Sequence, residues 1–216
     1  MTERTVVAAT KNKGKLREFE AIFATIGYRC VPVADVCDVP EPEETGTTFA
    51  ENAALKARYY ADACGRPCVA DDSGLEVDAL GGAPGVYSAR YAGTHASDVS
   101  GDDANNERLL RELRGILPER RTARYVCALA FAEPGYDAES ERLKGDASEV
   151  VIAEGRCEGI IIDVARGDGG FGYDPYFYLP VYDRTMAELS LEEKNKISHR
   201  GQALRRLGAL IEARDR

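Results

Sequence analysis

Four acidic side chains and a run of lysines are the first residues in this sequence that could do chemistry. Glu43, Glu44, Asp71 and Asp72 are hard oxygen donors, of the kind that hold magnesium against substrate phosphates. Asp71 and Asp72 are adjacent. Neighbouring residues on a strand point to opposite faces, so the two need not share one site. At a strand end, however, the chain leaves the sheet and a carboxylate can reach a cleft. An Asx-type turn capped by Asp72, with the glutamates in solvent, satisfies the same residues. Thr10-Lys11-Asn12-Lys13-Gly14-Lys15 sets three lysines where a strand gives way to a helix. Backbone N–H groups and the dipole at a helix N-terminus favour an anion, so this segment reads as a phosphate cradle. Its spacing is not that of a Walker A loop, and a solvated basic turn is the alternative.

Three further groups add to this chemistry. Asn52 and Lys56 stand at i and i+4 and share one helix face. The stretch GGFGYDP at 169–175 joins glycines, which permit close backbone approach, to Phe171 and Tyr173, whose rings can stack on a planar base. Lys194 precedes Ser198-His199-Arg200. There Ser198 can cap a helix, which places His199 and Arg200 in its first turn, aimed outward. An exposed polar face, a packed loop and a surface histidine fit these three groups as well. Taken together they supply cations for phosphate, acids for a metal and a glycine–aromatic loop for a base.

Recognisable elements must position these groups. Residues 4–9 read as a short buried strand. Leu16, Phe19, Ile22, Phe23 and Ile26 form a helical stripe that ends at Gly27. Residues 29–34 suit a second strand, and 35–46 a loop. Thr48 and Glu51 form a capping box for a helix running to about Ala63. A strand over 68–71 then delivers the acidic pair, and LGGAPG at 80–85 is a turn cluster. A helix over 104–117, a strand over 123–132 and a solvated connection over 135–148 follow. Two strands folding back at Gly155 or Gly159 are expected within 149–164, and helix from Ser190 onward. This alternation implies an α/β fold with a mixed sheet, in two lobes with a cleft between them.

Composition narrows the functional classes. A chain of 216 residues with 44% hydrophobic content can bury a substantial core. A net charge of −9 argues against a non-specific nucleic-acid binder. No apolar run is long enough to span a bilayer and no signal-peptide pattern opens the chain, so a cytoplasmic protein is expected. The six cysteines form no CxxC pair and read as reduced thiols.

Five stretches carry a family resemblance: ATKNKGKLREFEAIF, EETGTTFAENAALKARYYA, VADDSGLEVDALGGAPGVYSARY, GDGGFGYDPYFYLP and AELSLEEKNKISHRGQALRRL. In this order, and over most of the chain, the sequence resembles the inosine triphosphate pyrophosphatase family. The resemblance implies an elongated α/β molecule with a long mixed sheet and a central cleft, forming a homodimer. It implies magnesium-dependent hydrolysis of inosine and xanthosine triphosphates and their deoxy forms to the monophosphate and pyrophosphate. By position, Asp72 matches the catalytic base and a metal ligand, with Asp71 and Lys56 in the catalytic group. Glu43 matches the metal-site glutamate, with neighbouring Glu44 as the alternative. Thr10, Lys11, Asn12, Lys13, Gly14, Lys15, Asn52 and Ser73 match phosphate and substrate contacts. Phe171, Gly172, Tyr173, Asp174, Lys194, His199 and Arg200 match the nucleoside-binding set. A non-catalytic nucleotide sensor is the alternative function.

Overall fold

The structure is a computed structural model that describes residues 4–93, 99–137, 142–143 and 150–214. Strand β1, Arg4–Ala8, buries its last three residues completely, as an inner strand must. Helix α1, Lys13–Thr25, is capped by Asn12 and turns Leu16, Phe19, Ile22 and Phe23 toward the core. Strand β2, Tyr28–Pro32, lies parallel to β1. Both halves of the Thr48–Glu51 capping box start α2, Phe49–Cys64. Then come β3, Cys68–Val77; α3, Val99–Glu112; and β4, Thr122–Ala132. Strands β5, Tyr136–Asp137, and β6, Arg142–Leu143, form a separate antiparallel pair. They are what is described of the connection expected over 135–148; residues 138–141 and 144–148 lie outside the described residues. Strands β7, Val151–Ile161, β8, Phe177–Leu179, and β9, Arg184–Thr185, precede α4, Leu191–Ile197, and α5, His199–Arg214.

The principal sheet has the order β2-β1-β3-β4-β7-β8-β9. It is mixed: β1 runs parallel to β2 and β3, while β8 is antiparallel to β7 and β9. The α/β expectation therefore holds. The chain divides into two compact units, with divisions falling inside β3, β4 and β7 and between His199 and Arg200. One unit has a core of Val6, Phe19, Phe23, Leu129, Phe131, Leu204 and Leu207. The other is built around Leu75, Leu109, Leu113, Tyr125, Ile161, Phe177 and Met186.

Several expectations are corrected. Asp71 and Asp72 lie inside a ten-residue strand, not at the end of a short one. Asp-Asp-Ser-Gly reads locally as a breaker, but β3 sits between β1 and β4 in the sheet, and ladder pairing overrides propensity. No sharp turn follows at Ser73-Gly74. Residues 151–161 are one strand, not two: burial alternates along it, and Gly159 is needed because a Cβ there would lie 2.5 Å from the Phe177 ring. Helix α3 begins and ends about a turn earlier than expected. Cys37 and Cys64 form a disulfide, with Cα atoms 5.7 Å apart. A sequence separation of 27 residues did not reveal that the loop after β2 returns to the end of α2. Cys30, Cys68, Cys127 and Cys157 are free and buried, and burial pushes the Cys30 thiol up to about 12.

Gly74 is required by packing. A Cβ at this position would lie 2.3 Å from Ser88 Oγ and 2.6 Å from the Gly85 carbonyl oxygen. Ser88 Oγ in turn accepts the Leu75 N–H at 2.8 Å and donates to the Gly85 carbonyl at 2.6 Å. Gly74→Ala is therefore expected to destabilise the protein by about 1–3 kcal/mol, the usual cost of overpacking a filled site. Chemical denaturation of the two proteins measures it, and an unchanged midpoint would contradict the packing argument.

Candidate active site

The first unit gathers an acid–base cluster on β3, α2 and the loop before α2. The capping box fixes the start of α2, so Asn52 and Lys56 project from one face of its first two turns. Asn52 is fully buried and satisfied at both ends. Its Oδ1 accepts the Gly46 N–H at 2.8 Å and its Nδ2 donates to Asp72 Oδ2 at 3.0 Å. Lys56 Nζ lies 2.7 Å from Glu44 Oε1 and 3.7 Å from Asp72 Oδ1. Glu44, and not the exposed Glu43, is thus the glutamate brought to Lys56 and Asp72. Burial pushes the Asp72 carboxyl up to about 6, with Glu44 and Asp71 adding to the shift; Lys56 and the Asn52 hydrogen bond oppose it without cancelling it. Lys56 is itself disfavoured as a cation by burial, but Asp72, Asp71 and Glu44 outweigh this and hold its pKa above the usual value.

Asp71 points to different partners. Its carboxylate is buried, with Lys15 Nζ at 2.9 Å and Arg200 Nη2 at 3.3 Å. Burial alone would raise its pKa, yet Lys15, Arg200 and Lys56 outweigh burial and hold the carboxyl well below the usual carboxylate range. Arg200, expected to aim outward near a base, is instead buried on Asp71 and 3.8 Å from Glu18. At the start of α1, Asn12 Oδ1 accepts the N–H groups of Gly14 and Lys15 at 2.8 and 3.1 Å. Two donors of the expected cradle are thus engaged by the cap itself. The Thr10 hydroxyl accepts the Asn12 N–H at 3.1 Å, and exposed Lys11 pairs with Glu41 at 2.8 Å. Lys13 opens the helix; its side chain lies outside the described residues.

The second unit holds the remaining predicted residues. Ser73 lies within β3, next to Asp72, and is half-buried. The segment 169–175 is pinned to its surroundings. Asp174, buried, accepts the Phe171 N–H at 3.0 Å and the Lys194 ammonium. The Lys194 Nζ lies 5.3 Å from the centroid of the Phe171 ring, which is 55% exposed. Tyr173 is not available to stack on a ligand: it is buried and donates its hydroxyl to the Ser88 carbonyl at 2.7 Å. His199 is also buried, with its ring stacked on Tyr125 at a centroid distance of 4.9 Å.

Chemically, the first cluster pairs a carboxylate of raised pKa with a lysine and a second acid, beside a lysine-bearing helix start. The second presents an exposed aromatic ring next to a cation. A family model described as the Ham1 family matches residues 6–210. The chain belongs to the Ham1 family. It is 52% identical over 204 residues to the dITP/XTP pyrophosphatase of Geobacillus kaustophilus, covering 94% of this chain and 92% of that one. It is 48% identical to the dITP/XTP pyrophosphatase of Bacillus subtilis, covering 97% and 98%. The solved structure of the Staphylococcus aureus Ham1 protein is similar with a TM-score of 0.83 at 41% identity, over 98% of this chain and all of that one. A Mycobacterium abscessus nucleoside-triphosphatase / dITP/XTP pyrophosphatase gives 0.73 at 42%, covering 94% and 98%.

Sequence reasoning missed some of the residues that surround these clusters. Tyr125, beneath His199, lies in a strand pattern that reads as core packing. Asn105 and Asn106 did leave a signal: two adjacent asparagines inside a helix are poor helix formers, so tertiary hydrogen bonds are expected of them.

Asp71 and Asp72 are chemically alike but electrostatically opposed, and this yields a paired prediction for the metal-free protein. Asp71 has a lowered pKa, so its contribution is present above the unfolded value near about 4 and is lost as pH falls. Asp71→Asn also strands buried Arg200 and is expected to destabilise by about 3–5 kcal/mol. Asp72 has a raised pKa, so its ionisation costs stability as pH rises through about 6. At pH 8, Asp72→Asn is therefore expected to raise the melting temperature while Asp71→Asn lowers it. Thermal melts of both variants decide; the same direction for both would refute the electrostatic assignment.

Proposed function

We propose that this chain hydrolyses non-standard purine nucleoside triphosphates, ITP, dITP and XTP, to the monophosphate and pyrophosphate. The observation that carries the reading is the Glu44–Lys56–Asp72 cluster next in sequence to the Asp71–Lys15–Arg200 network. Binding an anion needs only positive charge. Two carboxylates held on one lysine serve chemistry that a non-catalytic nucleotide sensor does not need. The dITP/XTP pyrophosphatase names of relatives at about half identity point to the same reaction.

In this reading Lys11 and Lys15 hold the outer phosphates, and their charge favours departure of pyrophosphate. Asp72 accepts a proton from the attacking water, and Asn52 orients the Asp72 carboxylate through the 3.0 Å hydrogen bond. Lys56 keeps Asp72 and Glu44 together. Asp71 acts through Lys15, whose ammonium it positions, and does not itself face the water. Among the described residues no three acidic, histidine or cysteine side chains converge as a ready-made metal cage. Magnesium does not need one, since it commonly takes one or two carboxylates and completes its shell with substrate phosphates and water. Asp72 and Glu44 fit that donor set, and the ion would offset phosphate charge and act as a Lewis acid. Phe171, Lys194 and Asp174 meet the base: Phe171 stacks on it, and the Lys194 cation favours the 6-oxo acceptor of hypoxanthine and xanthine over the 6-amino donor of adenine. No helix among the described residues is long and apolar enough to cross a membrane. In the same reading the enzyme acts as a homodimer in the cytoplasm.

The test is product analysis with ITP, XTP and ATP in the presence and absence of magnesium. Inosine monophosphate and pyrophosphate are expected as first products, only with the metal, and with ATP a poor substrate. Inosine diphosphate and orthophosphate as first products would overturn the proposal. A second expectation separates the two glutamates. Glu44→Gln loses at least about tenfold in kcat, in line with the usual effect of altering a metal ligand or its supports. Glu43→Gln stays within about twofold, as an exposed surface change should. The reverse ranking would return the metal role to Glu43.

A further inference from the structure

The segment that carries Phe171 is held in place from α3. Gly172, the next residue, is gripped on both sides of its backbone. Its N–H donates to Asp102 Oδ2 at 2.8 Å, and its carbonyl accepts from Asn106 Nδ2 at 2.9 Å. Asp102 and Asn106 are four residues apart on α3 and so present one face of that helix. Gly172 itself has a φ of +61°, the left-handed region that a side chain disfavours. The neighbouring Phe171 N–H is taken by Asp174, and the Tyr173 hydroxyl by Ser88. Three consecutive residues are thus fixed by side chains or carbonyls, while the Phe171 ring is left 55% exposed.

Asn106 uses only the donor end of its amide in this contact. It is buried, and its Oδ1 has no hydrogen-bond partner among the described residues. Here the donor end is directed to Gly172 and the acceptor end is left over. The preceding Asn105 grips a different segment in the same two-handed way. Its Oδ1 accepts the Ala92 N–H at 2.7 Å and its Nδ2 donates to the Ala89 carbonyl at 3.2 Å.

We propose that Asp102 and Asn106 are positioning residues that clamp Gly172 and thereby set the Phe171 ring for stacking on the purine base. The proposal rests on the assignment of Phe171, Asp174 and Lys194 to the base. A loosened ring weakens binding of the base and leaves the phosphate chemistry in place. The signature is therefore a rise in KM with kcat nearly constant, and a smaller preference for ITP over ATP.

The experiment measures kcat, KM and the ITP/ATP ratio for Asp102→Ala, Asp102→Asn, Asn106→Leu and Phe171→Ala, with a melting curve for each. Asp102→Ala and Asn106→Leu are expected to raise KM for ITP by about tenfold, the scale of one lost hydrogen bond to a charged or buried partner. Asp102→Asn is expected to recover most of the loss, because its amide oxygen still accepts the Gly172 N–H. A merely structural role would lower kcat and melting temperature together and would not follow the acceptor at position 102. Should Asn106→Leu fail to fold, the half-buried Asp102 pair carries the test alone. Wild-type KM in folded Asp102→Ala, with KM raised in Phe171→Ala, overturns the clamp and leaves the base assignment standing. Wild-type KM in Phe171→Ala overturns the base assignment and the clamp with it.

Discussion

A β-strand turns successive side chains to opposite faces, and two neighbouring aspartates on one buried strand must therefore meet different surroundings. This constraint organises the acid–base cluster of the first unit. Asp71 meets Lys15 from α1 and Arg200 from α5, and the attraction of these cations outweighs its loss of hydration. Asp72 meets Asn52 and Lys56 from α2, with Glu44 close by, and there burial prevails. The same strand thus delivers one carboxylate as a fixed anion that organises cations, and one whose proton affinity suits a base.

The arrangement explains why polar residues sit so deep in this unit. Asn52 is buried because both ends of its amide are in use, one on Gly46 and one on Asp72. Arg200 is buried because Asp71 compensates it. Arg200 and Asp71 would each be costly alone, and removing either leaves the other uncompensated. The cluster consequently behaves as a set, and its geometry is inherited from the ends of α2 and α5 and the middle of β3.

The group around Phe171 in the other unit follows a different rule. There the exposed element is an aromatic ring on an irregular segment, and precision comes from hydrogen bonds to its backbone. Glycines at 170 and 172 permit the required conformation, and a Cβ at Gly170 would lie 2.1 Å from Asp174 Oδ2. Side chains of α3 and the hub formed by Asp174 then hold the segment to one shape. An irregular loop can serve recognition when its donors and acceptors are accounted for in this way.

Much of this was legible in the amino-acid sequence. The strand and stripe of β1 and α1, the capping box of α2 and the α/β alternation follow from local periodicity and cap chemistry, which act over a few residues. The identity of the acids, lysines and glycine–aromatic loop followed from residue type and order. Contacts between distant segments were not legible. That Glu44 and not Glu43 meets Lys56, that Arg200 turns to Asp71, that Tyr173 is buried on Ser88 and that Cys37 reaches Cys64 all depend on packing. The same holds for β3, where local propensity reads Asp-Asp-Ser-Gly as a break and the sheet on either side makes it a strand. Local sequence determined which elements form and which functional groups they carry. Tertiary structure decided which groups meet, because burial and pairing energies are set by neighbours that lie far away along the chain.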